Sequence, residues 1–401
     1  MKKVAIVYNQ TLTDVQGINY VNNSFVEGQK YFNDKGFELT SIFAPDGVFE
    51  CEGKDKLDLI GSNLGTTSYA RERKIRSFLR EILSSNYLLG ASIKFYFNHI
   101  RSAKLSIDRF LIKQDEYDYI IFQDKMTAGY YLKHVPDGHR KKSILILHCS
   151  KDVFEQAKPE FPALFANSQW RHWIEKNTEF VFSNIDKVVY LSQRAVDYSP
   201  VAPEKKTYIF NGEEDLHVHE ITKPHSPINM TCVGSMAWWK GQDFIIYAMA
   251  KLPKDIRKSY KLHLIGSGPQ LQELKDLVNN LNLEEYVVFY GNRNDVPELL
   301  KQMDMFIMPS ISEGLPMSII EALRQGMYVI GTDTGAIPEM IAPGCGEFVE
   351  RDADKIAECL SKVVEEKKIT HEMKVKAREH YLKHFTLKSM IYNYCDVLHS
   401  L

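Results

Sequence analysis

The chain lacks an excess of either charge: 50 lysines and arginines stand against 52 aspartates and glutamates, a net of −2 over 401 residues. That balance leaves no overall basic footprint of the kind a nucleic-acid binder carries. No apolar run reaches the ~18 residues that a membrane-spanning helix needs. The N-terminal MKKVAIVYNQ starts basic, but its apolar stretch is only about five residues, which suits a first buried strand and not a signal peptide. Cysteine is sparse. The six residues at 51, 149, 232, 345, 359 and 395 form no C-x-x-C pair, so reduced thiols are expected and a disulfide framework is not. Low-complexity tracts and internal sequence repeats are missing too, and the first strand is not followed by G-x-G-x-x-G.

What the chain does have is alternation. Short apolar runs follow one another between helical patterns, the mark of parallel sheets covered by helices. VAIVY, FELTSIFAP, YDYIIFQD, SILILHCS and KVVYLSQ read as strands of one sheet, with a helix through FVEGQKYFNDKG ending at Gly36. After TYIFNG the pattern restarts with INMTCVGS, YKLHLIGSG, YVVFYGN, MFIMPSIS and MYVIGTD. A chain of this length exceeds what one core organises. The expected fold is therefore α/β: two doubly wound, Rossmann-like domains, 1–208 and 212–385, facing each other across a cleft.

Residues 71–113 differ from their surroundings: ten Lys/Arg against three acids, a net of +7, interleaved with aromatic and aliphatic residues. Solvated basic helix faces are one reading. A surface for an anionic membrane or an anionic acceptor is the other.

The most informative stretch is SEGLPMSIIEALRQG, 312–326, which carries Glu313 before Gly-Leu-Pro and Glu321 within an apolar, helically spaced run. Pro316 suits a first helical turn and Gly326 a stop, so a helix from about Pro316 to Gln325 is predicted. A helix start fed by a glycine-containing loop turns free amides and a positive dipole end toward its ligand, favouring phosphate. Glu321 lies ~8 Å along the axis from Pro316 at ~1.5 Å per residue, and a carboxylate can accept from two adjacent hydroxyls. Both acids suit an elongated sugar–diphosphate–nucleoside ligand. Capping by Glu313 and solvation of Glu321 would explain the same residues without one.

PSISEGLPMSIIEALRQGMYVIGTDTGAIPEMI closely resembles the donor-site signature of the retaining nucleotide-sugar glycosyltransferases of family 4, which have the two-domain GT-B fold. The resemblance continues in order through KKTYIFNGEED, CVGSMAWWKGQDFIIYAMAKL, LHLIGSGPQLQELKDLV, VVFYGNRNDVPELLKQMDMFIMPS and HFTLKSMIYNYCDVL. It does not extend to residues 45–115. It implies that Glu321 binds the donor ribose, that Glu313 lies near the sugar hydroxyls, and that the amides of Gly314, Leu315, Pro316 and Met317 border sugar and phosphate (Pro316 through its neighbours, having no N–H). Lys240 matches the diphosphate-binding lysine, and His148 the first-domain histidine that contacts the transferred sugar. Gly17 fits the loop that closes over the phosphates; Gly234, Ser235, Gly266, Asn292 and Arg293 would line phosphate and base. The C-terminal helix, 386–401, would pack back on the first domain, and closure would pivot near Asn211–Gly212.

The resemblance implies a hexosyl- or N-acetylhexosaminyltransferase that uses a nucleoside diphosphate sugar, UDP by family frequency, without a metal or other cofactor. Its acceptor would be a saccharide, lipid-linked in cell-surface polysaccharide synthesis, with a cytoplasmic or inner-face peripheral location. One departure is Ser235, where the family commonly has arginine; Arg293 and Arg194 are candidate substitutes. A donor-binding partner subunit with weak catalysis, and an epimerase on the same fold, are the alternatives. Asp352-Ala-Asp354 resembles a metal-binding D-x-D but precedes an apolar helix pattern and reads as an N-cap. His217 with His219, and His380 with His384, have ligand spacing without a third partner. Pro269 fits the first turn of the next helix, and Trp238 and Trp239 read as packing and interdomain contacts in preference to a stacking platform.

Overall fold

A computed structural model describes residues 1–11, 18–51, 88–148, 161–215 and 221–401. Gly17, the 71–87 part of the basic segment, His217 and His219 lie outside these residues. The chain divides into unit 1, Met1–Ile209 with Met390–Leu401, and unit 2, Phe210–Ser389.

Unit 1 is built on a sheet in the order β3-β2-β1-β4-β5-β6-β7. Its strands are β1 Lys2–Val7, β2 Phe37–Ala44, β3 Gly47–Glu50, β4 Tyr119–Phe122, β5 Lys142–Leu147, β6 Lys187–Tyr190 and β7 Lys206–Tyr208. All pairs are parallel except β2–β3. All four residues of β4 are buried, as expected of a parallel strand covered on both faces. The β2–β3 hairpin was not expected from the pattern, because β3 is only four residues long; Pro45 and Asp46 form its turn. The single helix expected through 25–36 is two helices, α1 Ile18–Glu27 and α2 Gln29–Asp34. Gly28 interrupts them, since glycine is a poor helix interior. An aromatic core of Phe43, Phe110, Tyr117, Phe122 and Tyr131 sits under the sheet. Within the same unit the C-terminal helix meets α1, with the rings of Tyr394 and Phe25 5.0 Å apart.

Unit 2 has the order β10-β9-β8-β11-β12-β13, all parallel. The strands are β8 Ile228–Val233, β9 Tyr260–Ile265, β10 Val287–Gly291, β11 Met305–Met308, β12 Tyr328–Gly331 and β13 Gly346–Phe348. Numbered within the unit this is 3-2-1-4-5-6, the doubly wound order whose winding reverses between β8 and β11. Ligands of such sheets bind beyond the carboxyl ends of the strands at that reversal. The covering helices include α3 Gln242–Lys251, α4 Leu271–Asn280, α5 Met317–Arg324, α6 Ala353–Glu365 and α7 His371–His384.

Two expectations shift in detail. The helix predicted from Pro316 starts at Met317, with Pro316 as its N-cap residue. Pro269 precedes α4, which starts at Leu271, and so lies outside its first turn. Asp352 does cap α6: its Oδ1 accepts from the amides of Asp354 and Lys355 at 2.9 and 3.0 Å. At the amino end of β11, Asp304 and Lys374 form a buried ion pair of 3.1 Å. No described helix is long and apolar enough to cross a membrane.

Candidate active site

The loop after β8 and the loop after β11 meet at the reversal point of unit 2. The main-chain amide of Ile311 donates to the carbonyl of Trp239 at 2.9 Å. Beside that bond, Lys240 Nζ donates to Glu313 Oε1 at 2.7 Å, with side chains 19% and 10% exposed. An ammonium has three N–H donors, and this bond uses one. Close behind lies Cys232, whose thiol is pushed up to about 12 mainly by burial, so it stays neutral. Immediately after Leu315–Pro316 the chain turns helical at Met317, and α5 has no side-chain cap at its N-terminus. Its first amides therefore keep the donor capacity that a Ser or Asp cap would consume. A fixed ammonium next to a positive helix end is an arrangement that attracts a polyanion.

The loop after β11 owes its shape to the loop after β12. Thr332 Oγ1 donates to the Ser310 carbonyl at 2.6 Å, and Thr334 Oγ1 to that of Ile311 at 3.1 Å. The Ala336 amide donates to the Gly314 carbonyl at 2.8 Å. Gly335 makes this clasp possible: its φ is +58°, and a Cβ there would stand 2.2 Å from the Glu313 carbonyl oxygen. Gly335→Ala is expected to push Glu313 away from Lys240 and to lower kcat/KM on the order of a hundredfold, the scale of small misplacements. Steady-state kinetics of the variant, with its circular dichroism unchanged, check this.

The remaining residues singled out in the sequence fall as follows. Gly234 and Gly266 are in contact through their backbones; Gly266 has φ +130°, and a Cβ there would lie 2.0 Å from the Gly234 carbonyl oxygen. The Ser235 carbonyl accepts from Gln242 Nε2 at 3.0 Å. Asn292 and Arg293 are exposed after β10, and Arg293 is engaged by Asp295 through two bonds of 2.7 and 2.6 Å. Glu321 is partly buried in the second turn of α5. Thus Lys240, Glu313, Gly314, Leu315, Pro316 and Met317 come together on two joined loops. His148 belongs to unit 1, at the end of β5, where burial pushes its imidazole down to about 4.

Trp238 and Trp239 are 58% and 39% exposed, so neither is packed into a core, which corrects that part of the expectation. Their backbone is nevertheless fixed, because Arg351 donates to the carbonyls of Trp238 and Pro309 and lies over the Phe244 ring. Arg351, like Gly335, was not singled out in the sequence. Nothing local marks either one; both act on loops that are distant along the chain. His380 and His384 share one helix, with ring centroids 4.8 Å apart. Among the described residues no group of three metal-ligating side chains is assembled.

Two doubly wound α/β units, the second with a cationic site at its reversal point, have the architecture of GT-B glycosyltransferases. The comparison with solved structures bears this out. The chain aligns over its whole length with Anabaena Alr3699/HepE in complex with UDP, at a TM-score of 0.65 and 17% identity, covering 100% of both chains. It aligns likewise with sucrose-phosphate synthase from Thermosynechococcus elongatus, at a TM-score of 0.68 and 16% identity, covering 100% of this chain and 99% of that one. Residues 214–380 match the family model of Glycosyl transferases group 1. Among curated proteins, N-acetyl-alpha-D-glucosaminyl L-malate synthase of Bacillus anthracis is 26% identical over 221 residues, 55% of this chain and 52% of that protein. The chain spans about half or less of the length of the curated relatives it matches.

Proposed function

We propose that the protein is a glycosyltransferase that moves a sugar from a nucleoside diphosphate sugar to an acceptor hydroxyl. The observation that carries this reading is the Lys240 ammonium, held by Glu313 beside the uncapped start of α5. Departure of a nucleoside diphosphate concentrates negative charge on the leaving phosphate oxygens. A preorganised cation and helix amides aimed there lower the barrier, because they need no reorganisation as the charge develops. In this reading Lys240 and the amides of Gly314, Leu315 and Met317 take the diphosphate. Glu313 orders Lys240 and the sugar hydroxyls, Glu321 takes the ribose, and the backbone at Gly234–Ser235, Gly266 and Asn292–Arg293 borders phosphate and base.

The finer reading follows the family resemblance. The sugar keeps its anomeric configuration by a front-face route, in which the departing phosphate oxygen takes the acceptor proton. The donor is a UDP-sugar, a choice supported by the structural neighbour whose complex contains UDP. The acceptor is a saccharide, lipid-linked at a membrane surface, and the net-basic stretch 71–113 is the part of the chain whose composition suits anionic headgroups. Lys240 supplies the cationic charge that other sugar transferases take from a metal ion, so no metal is required.

Thermal unfolding in the presence of UDP-, GDP- and ADP-sugars tests the donor class. The matching donor at 100 times its Kd is expected to add ~2.7 kcal/mol, and transfer is expected to persist in EDTA. Stabilisation by none of them would refute the reading. Donor binding without transfer to any saccharide pool would instead assign a partner subunit, and conversion of the donor sugar without acceptor would assign an epimerase.

A further inference from the structure

Unit 1 contains a chain of three polar side chains, two of them buried, that the donor-site reading does not use. Gln123 follows β4, and His148 follows the neighbouring β5, whose Leu145 is in register with Phe122. Asn22 lies on α1. Gln123 and Asn22 are 2% and 0% exposed. Gln123 Nε2 donates to Asn22 Oδ1 at 2.9 Å, and Gln123 Oε1 is hydrogen-bonded to His148 Nε2.

These three side chains fix one another's polarity. A primary amide has a donor end and an acceptor end. With its nitrogen turned to Asn22, Gln123 offers His148 only a carbonyl oxygen, so His148 Nε2 must carry the hydrogen. A neutral imidazole has a single N–H, which leaves Nδ1 as a bare acceptor. Turning one amide alone would set two oxygens or two NH2 groups face to face, so the orientation of the chain is all-or-none. Burial keeps the ring neutral at physiological pH. The far end, Asn22 Nδ2, has no partner among the described residues.

We propose that Asn22 and Gln123 are positioning residues that hold His148 as its Nε2–H tautomer, so that Nδ1 accepts a hydrogen bond from a substrate hydroxyl. The group recognised there must be a donor. A phosphate, carboxylate or carbonyl oxygen would place lone pair against lone pair. His148 is accordingly neither a phosphate ligand nor a general acid. That the hydroxyl belongs to a sugar rests on the proposed function; the tautomer does not.

The test is nitrogen NMR of the full chain labelled in histidine, with His148 assigned from the spectrum of His148→Gln. The wild type is expected to show Nε2 protonated and Nδ1 unprotonated at neutral pH. Gln123→Glu, which keeps an acceptor for Nε2–H, is expected to retain that tautomer, and Gln123→Met to lose the preference. In a transfer assay, Gln123→Met is expected to lower kcat/KM roughly tenfold, one hydrogen bond's worth, with recovery in Gln123→Glu. A wild-type Nδ1–H tautomer overturns the proposal without any variant having to fold. So does a tautomer unchanged in Gln123→Met. If no sugar transfer is ever found, the proposed function fails while the NMR result still decides the relay.

Discussion

Lys240→Ala is expected to lower kcat roughly 10²- to 10³-fold at saturating donor, the scale for removing one preorganised stabiliser of developing negative charge. The effect should fall on kcat more than on KM, because the leaving oxygens carry more charge in the transition state than in the bound donor. Glu313 complicates a simple reading, since it lies only 2.7 Å from the lysine and is 10% exposed. Removing the ammonium leaves that carboxylate without this partner, and the loop could shift for that reason alone. Glu313→Gln separates the two causes. It keeps the ammonium and a hydrogen-bond acceptor but drops the negative charge, so it should retain far more activity than Lys240→Ala if Lys240 acts on the substrate. Single-turnover rates with saturating donor decide the matter; a Lys240→Ala rate equal to wild type would refute the assignment.

Lys374→Met is expected to destabilise unit 2 by about 3–5 kcal/mol, the range for breaking a buried ion pair from one side. Lys374 and Asp304 have side chains 1% and 0% exposed. Asp304 also accepts from the amides of His225 and Asn229 and from His225 Nδ1, while Lys374 Nζ also reaches Thr222 Oγ1 at 3.2 Å. Methionine fills much of the lysine volume but cannot answer the carboxylate. The double change Asp304→Asn with Lys374→Met should therefore cost less than the sum of the singles, because neither charge is then left alone. Hydrogen exchange of the β8 and β11 amides is the appropriate measurement, as both strands border the pair. Protection equal to wild type in Lys374→Met would show that the remaining N–H donors suffice for Asp304.

These two predictions differ in how far the sequence foresaw them. Lys240 and Glu313 each stood in a recognisable local context, a glycine before a helix and a Gly-Leu-Pro helix start. Asp304 and Lys374 had none, being separated by 70 positions and joined only through the packing of α7 against α5 and β12. The same division runs through the fold. Strands of four consecutive apolar residues, such as β4 and β11, were legible because burial on both faces demands continuous apolar side chains. The edge strands β3 and β13 were not, since Gly47–Glu50 and Gly346–Phe348 are too short to carry a period. The helix from Gln29 was expected as part of one longer helix, and only its three-dimensional setting shows the break at Gly28.

By itself the sequence determined what is local or periodic: the α/β class, the restart of the strand pattern that marks a second half, and the start of α5 with its flanking acid. Tertiary structure alone decided which distant groups meet. It brought Lys240 to Glu313, laid Gly335 under the Glu313 carbonyl, braced Trp238 with Arg351, and turned Gln123 between Asn22 and His148. The physical reason is that propensity and burial patterns act over a few residues, whereas a doubly wound sheet gathers its chemistry at strand ends that are far apart along the chain.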